Sequence, residues 1–215
     1  MTTEATSPRR TRVSRRLLLS AVFALWIISV VGGMAWLSRY AGTPGMSASP
    51  PARWPAQSAI APIAGRATIV MLAHPHCPCT RASLAELAVL MNRIGDRANA
   101  HVLFVRPPHV GEDWEQTDLW RTAARIPGVT VRTDVDGAEA KRFAAATSGQ
   151  TVVYDDDGRL VFEGGITGSR GHEGDNAGLL RIISLVNRGR ADGDKSPVYG
   201  CPLGDRSAES EKAQL

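Results

Sequence analysis

The sequence predicts an α/β sandwich with a mixed sheet, placed behind a single N-terminal membrane-spanning helix. Three observations support this prediction. Apolar runs of strand length alternate with stretches of helical periodicity between residues 67 and 147. Two β-rich runs joined by an Asp-Gly turn follow, and 21 uncharged residues stand near the N-terminus. Alternating strands and helices favour parallel strands, and the hairpin would form an antiparallel edge.

The charge of the chain lies at one end. The 215 residues carry a formal charge of +4, and the first 16 hold five arginines against one glutamate, which accounts for all of it. The rest of the chain has no excess of basic residues. The sequence therefore predicts that the folded part has no nucleic-acid-binding face. A hydrophobic content of 43% is enough for a packed core.

Residues 17–37 predict a transmembrane signal-anchor helix. They contain no charged residue, and 21 residues at ~1.5 Å each cross a hydrocarbon core of about 30 Å. The arginine-rich residues 1–16 should stay in the cytoplasm, which places the C-terminal domain on the other side. A cleaved signal peptide and a twin-arginine export signal at 14–19 are the alternatives.

Composition divides the remainder into three parts. Residues 38–62 are rich in Pro, Ala and Ser and predict a semi-extended tether. Residues 63–190 have the periodicity of a folded domain. Residues 191–215 predict a flexible tail that carries Cys201, although 199–202 are apolar enough to dock onto the domain.

The domain is expected to contain five strands and four helices. Asp113 is the expected cap of the second domain helix, and Asp136 with Glu139 resembles a capping box before the third. The predicted strands cover 67–73, 100–105, 129–133, 151–154 and 159–163, and the predicted helices cover 80–94, 114–125, 138–147 and 177–188.

Cysteine chemistry is predicted at the junction between the first strand and its helix, where the sequence reads His74-Pro75-His76-Cys77-Pro78-Cys79. Pro78 suits the first helical position, so Cys77 would be the cap and Cys79 would lie just inside. The positive end of a helix dipole stabilises a thiolate over a thiol. Without such a role, both cysteines would be small buried apolar residues.

This stretch, the order of the elements and the hairpin leading into the glycine-rich loop resemble the thioredoxin-like superfamily, and within it the membrane-anchored TlpA and RedB-like proteins. The resemblance covers about residues 63–190. It implies a thioredoxin-like fold facing the periplasm of a bacterial inner membrane and thiol–disulfide exchange at Cys77 and Cys79. Periplasmic or membrane protein thiols and disulfides would be the partners, and no cofactor is implied.

Two features depart from the thioredoxin pattern. Only Pro78 separates the two cysteines, whereas thioredoxins have two residues there. Residues two apart on a helix point away from each other, so a Cys77–Cys79 disulfide would be strained and labile. Thioredoxins also place a cis-proline before the first hairpin strand, and here that place reads Ser148-Gly149-Gln150-Thr151.

A metal site, most plausibly for copper as in the Sco type of thioredoxin fold, is the alternative prediction. Soft thiolates together with imidazoles suit Cu(I). As loop residues, His74 and His76 could instead be simply exposed, or could tune and shuttle protons for the nearby thiolate. The ligands on this alternative would be His76, Cys77, Cys79 and His172.

Cys201 is the unpaired third cysteine, and three roles are open for it: a resolving thiol, an intermolecular bridge or a metal ligand. Arg170 and His172 stand in the glycine-rich loop 164–176, which should end near the cysteines, and they are candidates for positioning a substrate. The sequence therefore predicts a membrane-anchored thiol–disulfide oxidoreductase with Cys77 as nucleophile and Cys79 or Cys201 as resolving thiol.

Overall fold

The computed structural model describes residues 15–46, 49–189, 191 and 193–204, and the chain divides into two units, Met1–Tyr40 and Ala41–Leu215. Helix α1 covers Arg15–Ala41, and none of its residues is buried within the protein. It extends beyond the predicted 17–37 at both ends, and its length and apolar composition are those of a membrane-crossing helix. The predictions for residues 1–14 and 205–215 fall outside the described residues.

The second unit is built on a mixed five-stranded sheet in the order β3-β2-β1-β4-β5. β1, β2 and β3 pair in parallel, whereas β4 is antiparallel to β1 and to β5. This arrangement confirms the predicted α/β class. The strands are β1 Ala67–Ala73, β2 Ala98–Arg106, β3 Val129–Val135, β4 Gln150–Tyr154 and β5 Leu160–Gly164.

Helices cover both faces of the sheet and give the domain two apolar layers. The helices are α2 Pro78–Ile94, α3 Asp118–Ala123, α4 Ala138–Arg142 and α5 Ala177–Arg188. Leucines of α2, among them Leu84 and Leu87, pack with residues of α3 and α5 on one face. Phe143, just after α4, packs on the other face. β1 lies at the centre of the sheet, so its carboxyl end, which leads into Cys77, is held from both sides.

The last helix and the hairpin agree closely with the sequence prediction. α5 has the expected bounds, and Gly189 ends it in the left-handed conformation at φ 69°. The hairpin turns at Gly158 with φ 71°. The N-cap of α5 is Asn176, whose side chain accepts the N–H of Leu179.

The second domain helix is shorter than predicted. Instead of 114–125 it covers Asp118–Ala123, and its N-cap is Thr117 rather than near Asp113. Thr117 stays extended, and its hydroxyl donates to the Pro75 carbonyl at 3.1 Å. The residues before α3 therefore contact the cysteine loop rather than extending the helix.

The predicted capping box is wrong. Asp134, at the end of β3, accepts the N–H of Glu139 at 2.7 Å and of Ala140 at 2.9 Å. The carboxylate of Glu139 is used elsewhere, because it accepts the Ser58 hydroxyl at 2.6 Å. The helix also stops at Arg142 instead of continuing to 147, as the chain turns at Ala144 with φ 48°.

The segment expected to be a tether lies partly on the domain. α1 continues to Ala41, and residues 49–60 run along the outer edge and face of the hairpin. Trp54 packs edge-on against Phe143 and Tyr154, with ring centroids 5.3 and 5.2 Å apart, and Ile60 is buried. The packing of Trp54, which is partly buried, and the burial of Ile60 show that this part of the predicted semi-extended tether is held on the domain.

Candidate redox site

Cys77 occupies the N-cap of α2, directly after β1. Its backbone is extended at φ −89° and ψ 118°, and Pro78 takes the first helical turn, where a missing N–H costs no hydrogen bond. The side chain is 1% exposed. Cys77 therefore faces the interior of the domain, whereas Cys79, inside the first turn, is partly exposed.

Cys201 reaches Cys77 from the other end of the chain. The two sulfur atoms are 2.8 Å apart, longer than the ~2.05 Å of a disulfide and within hydrogen-bonding distance for thiols. All three cysteines of the chain are unbridged thiols in this structure. A contact across 124 positions of sequence thus joins the N-cap of α2 to the C-terminal region.

The C-terminal segment, residues 193–204, is held by backbone pairing. The Ser148 N–H donates to the Cys201 carbonyl at 2.8 Å, and the Leu203 N–H donates to the Ala146 carbonyl at 3.0 Å. Leu203 is buried, as is Val198. This part of the predicted flexible tail 191–215 is therefore docked, and it includes residues 199–202, whose apolar character allowed for docking.

Gly200 permits this close approach. A Cβ at this position would lie 2.0 Å from the Ser148 carbonyl oxygen, a distance that no side chain tolerates. Arg170 also donates a hydrogen bond to the Gly200 carbonyl. The glycine before Cys201 and the arginine of the loop after β5 together fix where the third sulfur lies.

The surroundings of Cys77 and Cys201 shift the pKa values of the two thiols in opposite directions. Burial opposes ionisation of Cys77, but hydrogen bonds from the thiol and backbone N–H of Cys201, and from the N–H groups of Cys79 and Thr80, outweigh it. The pKa of Cys77 is consequently held below its usual value. Burial, the hydrogen bond to Cys77 and the nearby negative charge raise the pKa of Cys201 to about 12. Of the two, Cys77 is therefore the thiol that ionises more readily, and Cys201 is the one that keeps its proton.

Cys79 lies beside this pair and next to a cation. Burial raises its pKa, and the charge of Cys77 raises it further, while a hydrogen bond and the charge of Arg170 act in the opposite direction. The structure thus brings together Cys77, Cys79, Cys201 and Arg170 of the sequence-predicted site residues.

No protein-family model and no curated protein matches the sequence significantly. Among solved structures, an uncharacterized conserved protein from Geobacillus kaustophilus is 19% identical with a TM-score of 0.54, covering 77% of this chain and 93% of that one. A hypothetical protein from Sinorhizobium meliloti 1021 is 22% identical with a TM-score of 0.52, covering 65% and 79%. An exposed lipoprotein thioredoxin from Streptococcus pneumoniae is 18% identical with a TM-score of 0.40, covering 56% and 84%.

The sheet of this chain has three parallel strands and an antiparallel hairpin added at the central strand, and a cysteine stands at the start of the helix that follows β1. The protein has a thioredoxin-like fold. The fold that the resemblance implied is therefore confirmed.

Ser148 is a site residue of this thioredoxin-like domain. The sequence had indicated only that no proline stands at this place. Its Oγ accepts the His74 N–H at 2.8 Å and lies 2.8 Å from the Thr80 hydroxyl, while its own N–H holds Cys201. A proline here would have had no N–H to donate. Ser148 therefore links the cysteine loop, α2 and the C-terminal segment.

Trp114 is a second residue that the sequence did not reveal. The His76 ring lies 4.5 Å from the Trp114 ring, and its Nε2 is 3.2 Å from the Trp114 carbonyl oxygen. His74 packs edge-on against the same indole, and its Nδ1 accepts the His76 N–H at 3.2 Å. The two histidines thus pack on the loop before α3 beside the thiols.

His172 takes part in its own loop. The ring lies beside Gly168 and Gly174, and the loop is fastened to α2 because the Glu86 carboxylate accepts the Gly174 N–H at 2.6 Å. This anchoring brings Arg170, in the same loop, to the thiols.

The residues of the alternative copper site, His76, Cys77, Cys79 and His172, are not gathered into one cluster in this structure. Within residues 15–46, 49–189, 191 and 193–204, no group of three or more His, Cys, Asp or Glu side chains could hold one. The imidazole of His76 is engaged with Trp114 rather than with the cysteines.

Proposed function

We propose that the protein is a thiol–disulfide oxidoreductase whose redox pair is Cys77 and Cys201. The observation that carries the proposal is the 2.8 Å contact between their sulfur atoms. The two cysteines are 124 positions apart in the sequence. Two thiols this close need only a small movement to reach disulfide geometry. Oxidation would join the two sulfurs and pass two electrons and two protons to a disulfide-bearing partner, and reduction by partner thiols would reverse the exchange.

The electrostatics of the pair support this chemistry. Thiol–disulfide exchange proceeds through a thiolate, and the hydrogen bonds around Cys77 lower the pKa of its thiol. Cys201 supplies one of those hydrogen bonds and is the thiol that holds the proton. The pair therefore combines a thiol whose pKa is lowered with one whose pKa is raised.

Cys79 is the less suitable partner for Cys77. It lies within the first turn of α2, and although its thiol hydrogen-bonds to Cys77, a disulfide between residues only two apart at the start of a helix would be strained. In the proposed function Cys79 is a neighbouring third thiol, and Cys201 is the resolving thiol of the two that the sequence left open.

The domain is proposed to face the periplasm of a bacterial inner membrane. The helix Arg15–Ala41 is long and apolar enough to anchor the chain, and the arginines that precede it favour a cytoplasmic N-terminus. The periplasm is an oxidising compartment in which disulfides form and persist. The partners would be thiols and disulfides of periplasmic or membrane proteins.

The test is disulfide mapping of the full chain, purified in detergent without reductant or chelator, after equilibration with mixtures of reduced and oxidised glutathione. We expect a Cys77–Cys201 disulfide that titrates reversibly, and the same bond in a Cys79→Ser variant. Absence of this bond at every ratio would contradict the proposal. A metal-sized mass increment lost on denaturation, with three reduced thiols, would favour metal handling instead.

Orientation is tested separately with intact cells and spheroplasts. A membrane-impermeant maleimide should label the thiols in spheroplasts of the strain that expresses the chain. Labelling only after membrane disruption would place the domain in the cytoplasm and contradict the proposed orientation.

A further inference from the structure

The oxidised pair offers two sulfurs to an incoming thiol, and the structure distinguishes between them by access. Cys77 is 1% exposed, at the bottom of the site, whereas Cys201 is partly exposed in the segment that covers it. Attack on a disulfide follows the axis of the bond, from the side opposite the leaving sulfur. The solvent side of the pair is the Cys201 side.

The covering segment is firmly placed, so Cys77 is not uncovered by simple fraying. Cys201 is held by the Ser148 N–H at 2.8 Å, and the residues on either side of it are held as well. Gly200 is buried against the Ser148 carbonyl and receives the hydrogen bond from Arg170. A thiolate approaching from solvent meets Cys201 before it can reach Cys77.

The relative stability of the two possible leaving groups also favours attack on Cys201. A disulfide releases the sulfur whose thiol has the lower pKa more readily. The backbone N–H groups of Cys79, Thr80 and Cys201 stabilise a Cys77 thiolate even when the Cys201 sulfur is bonded to a partner. Departure of Cys77 is therefore favoured over departure of Cys201, whose pKa is raised by burial.

The charges around Cys201 favour an anionic nucleophile at the moment of attack. Arg170 is close enough to both Cys79 and Cys201 to stabilise negative charge on either sulfur. Its side chain is partly buried, which strengthens such an interaction compared with one in bulk water.

We propose that Cys201, and not the helix-capping Cys77, forms the mixed disulfide with a partner thiol, and that Cys77 is the internal thiolate released by this step. The partner thiolate, having lost its proton to water, bonds to the Cys201 sulfur. The Cys77–Cys201 bond breaks, and its electron pair remains on Cys77. In the reverse direction the Cys77 thiolate attacks Cys201 and expels the partner. The inference rests on the proposed function and reverses the roles that the sequence suggested for the two cysteines.

The experiment uses the full-length Cys79→Ser chain in detergent, oxidised so that Cys77–Cys201 is its one disulfide. Reduced glutathione is mixed in, and samples are quenched with acid at the shortest accessible times and mapped by mass spectrometry. We expect the glutathione adduct on Cys201 to exceed that on Cys77 by at least about tenfold, because access and leaving group act together. An adduct found mainly on Cys77, or equally on both, would overturn the inference while leaving the redox pair intact.

The chain with all three cysteines provides a second measurement in case the substitution disturbs the site. Its earliest adduct should again lie on Cys201, and an earliest adduct on Cys77 or Cys79 would overturn the inference. If mapping before the addition of glutathione shows no Cys77–Cys201 disulfide, the proposed function fails and the inference fails with it. The starting map therefore separates the two failures.

Discussion

The backbone N–H of Ser148 donates a 2.8 Å hydrogen bond to the carbonyl of Cys201, and the Ser148 side chain accepts the N–H of His74. One residue thus holds both of the segments that carry the paired sulfurs. This link makes the C-terminal segment part of the site.

Gly200→Ala should separate the redox pair. The added Cβ would lie 2.0 Å from the Ser148 carbonyl oxygen, so the C-terminal segment must move away. We expect a smaller fraction of Cys77–Cys201 disulfide at a fixed glutathione ratio and faster alkylation of Cys77 by a maleimide. Gly204→Ala is the matched control, because nothing lies within 4 Å of a Cβ there. Equal behaviour of the two variants would show that the close approach of the segment has no role in pairing.

Cys201→Ala should raise the apparent pKa of Cys77. The substitution removes a thiol that donates to the Cys77 sulfur, so the Cys77 thiolate loses that stabilisation. The measurement is the thiolate absorbance as a function of pH in a Cys79→Ser background. Cys201→Ser, which keeps a hydroxyl donor, should give a smaller rise, and Cys77→Ser should lose the low transition. An unchanged or lower pKa in the alanine variant would contradict the role of this hydrogen bond.

Asp134→Asn should destabilise the domain, whereas Asp136→Asn should not. Asp134 accepts two backbone N–H groups with its two oxygens, and an amide nitrogen in place of one oxygen leaves a buried N–H unsatisfied. The expected loss is about 1–3 kcal/mol for Asp134→Asn and under ~0.5 kcal/mol for Asp136→Asn. Urea unfolding of the full chain in detergent, followed by tryptophan fluorescence, measures both. A larger effect at Asp136 would restore the capping box predicted from the sequence.

Trp54→Ala should release residues 49–60 from the sheet. The indole packs against Phe143 and Tyr154. The backbone N–H of Trp54 donates to the Gly158 carbonyl at 2.8 Å. We expect faster tryptic cleavage after Arg53 in the alanine variant than in the parent chain. Trp54→Phe keeps an aromatic ring in the same place and should remain protected. Rapid cleavage of the parent chain would show that the segment is a free tether after all.

Local patterns determined most of the fold. The bounds of α5, the hairpin at Gly158 and the start of α2 at Pro78 follow from periodicity, turn chemistry and the missing N–H of proline, all of which act within a few residues. The same local chemistry predicted Cys77 as an N-cap. Where the predictions failed, the deciding contacts came from distant residues: Pro75 accepts from Thr117, and Asp134 displaces the predicted cap of α4.

What the sequence by itself determined about this protein is therefore its α/β class, its apolar N-terminal helix and the place of its cysteine chemistry. Only the tertiary structure decided which thiol lies against Cys77. A backbone contact made by Ser148 and a close approach allowed by Gly200 bring Cys201 to Cys77 across 124 positions of sequence. Periodicity and capping act over one or two turns of chain, whereas this pairing depends on how the C-terminal segment docks on the finished sheet.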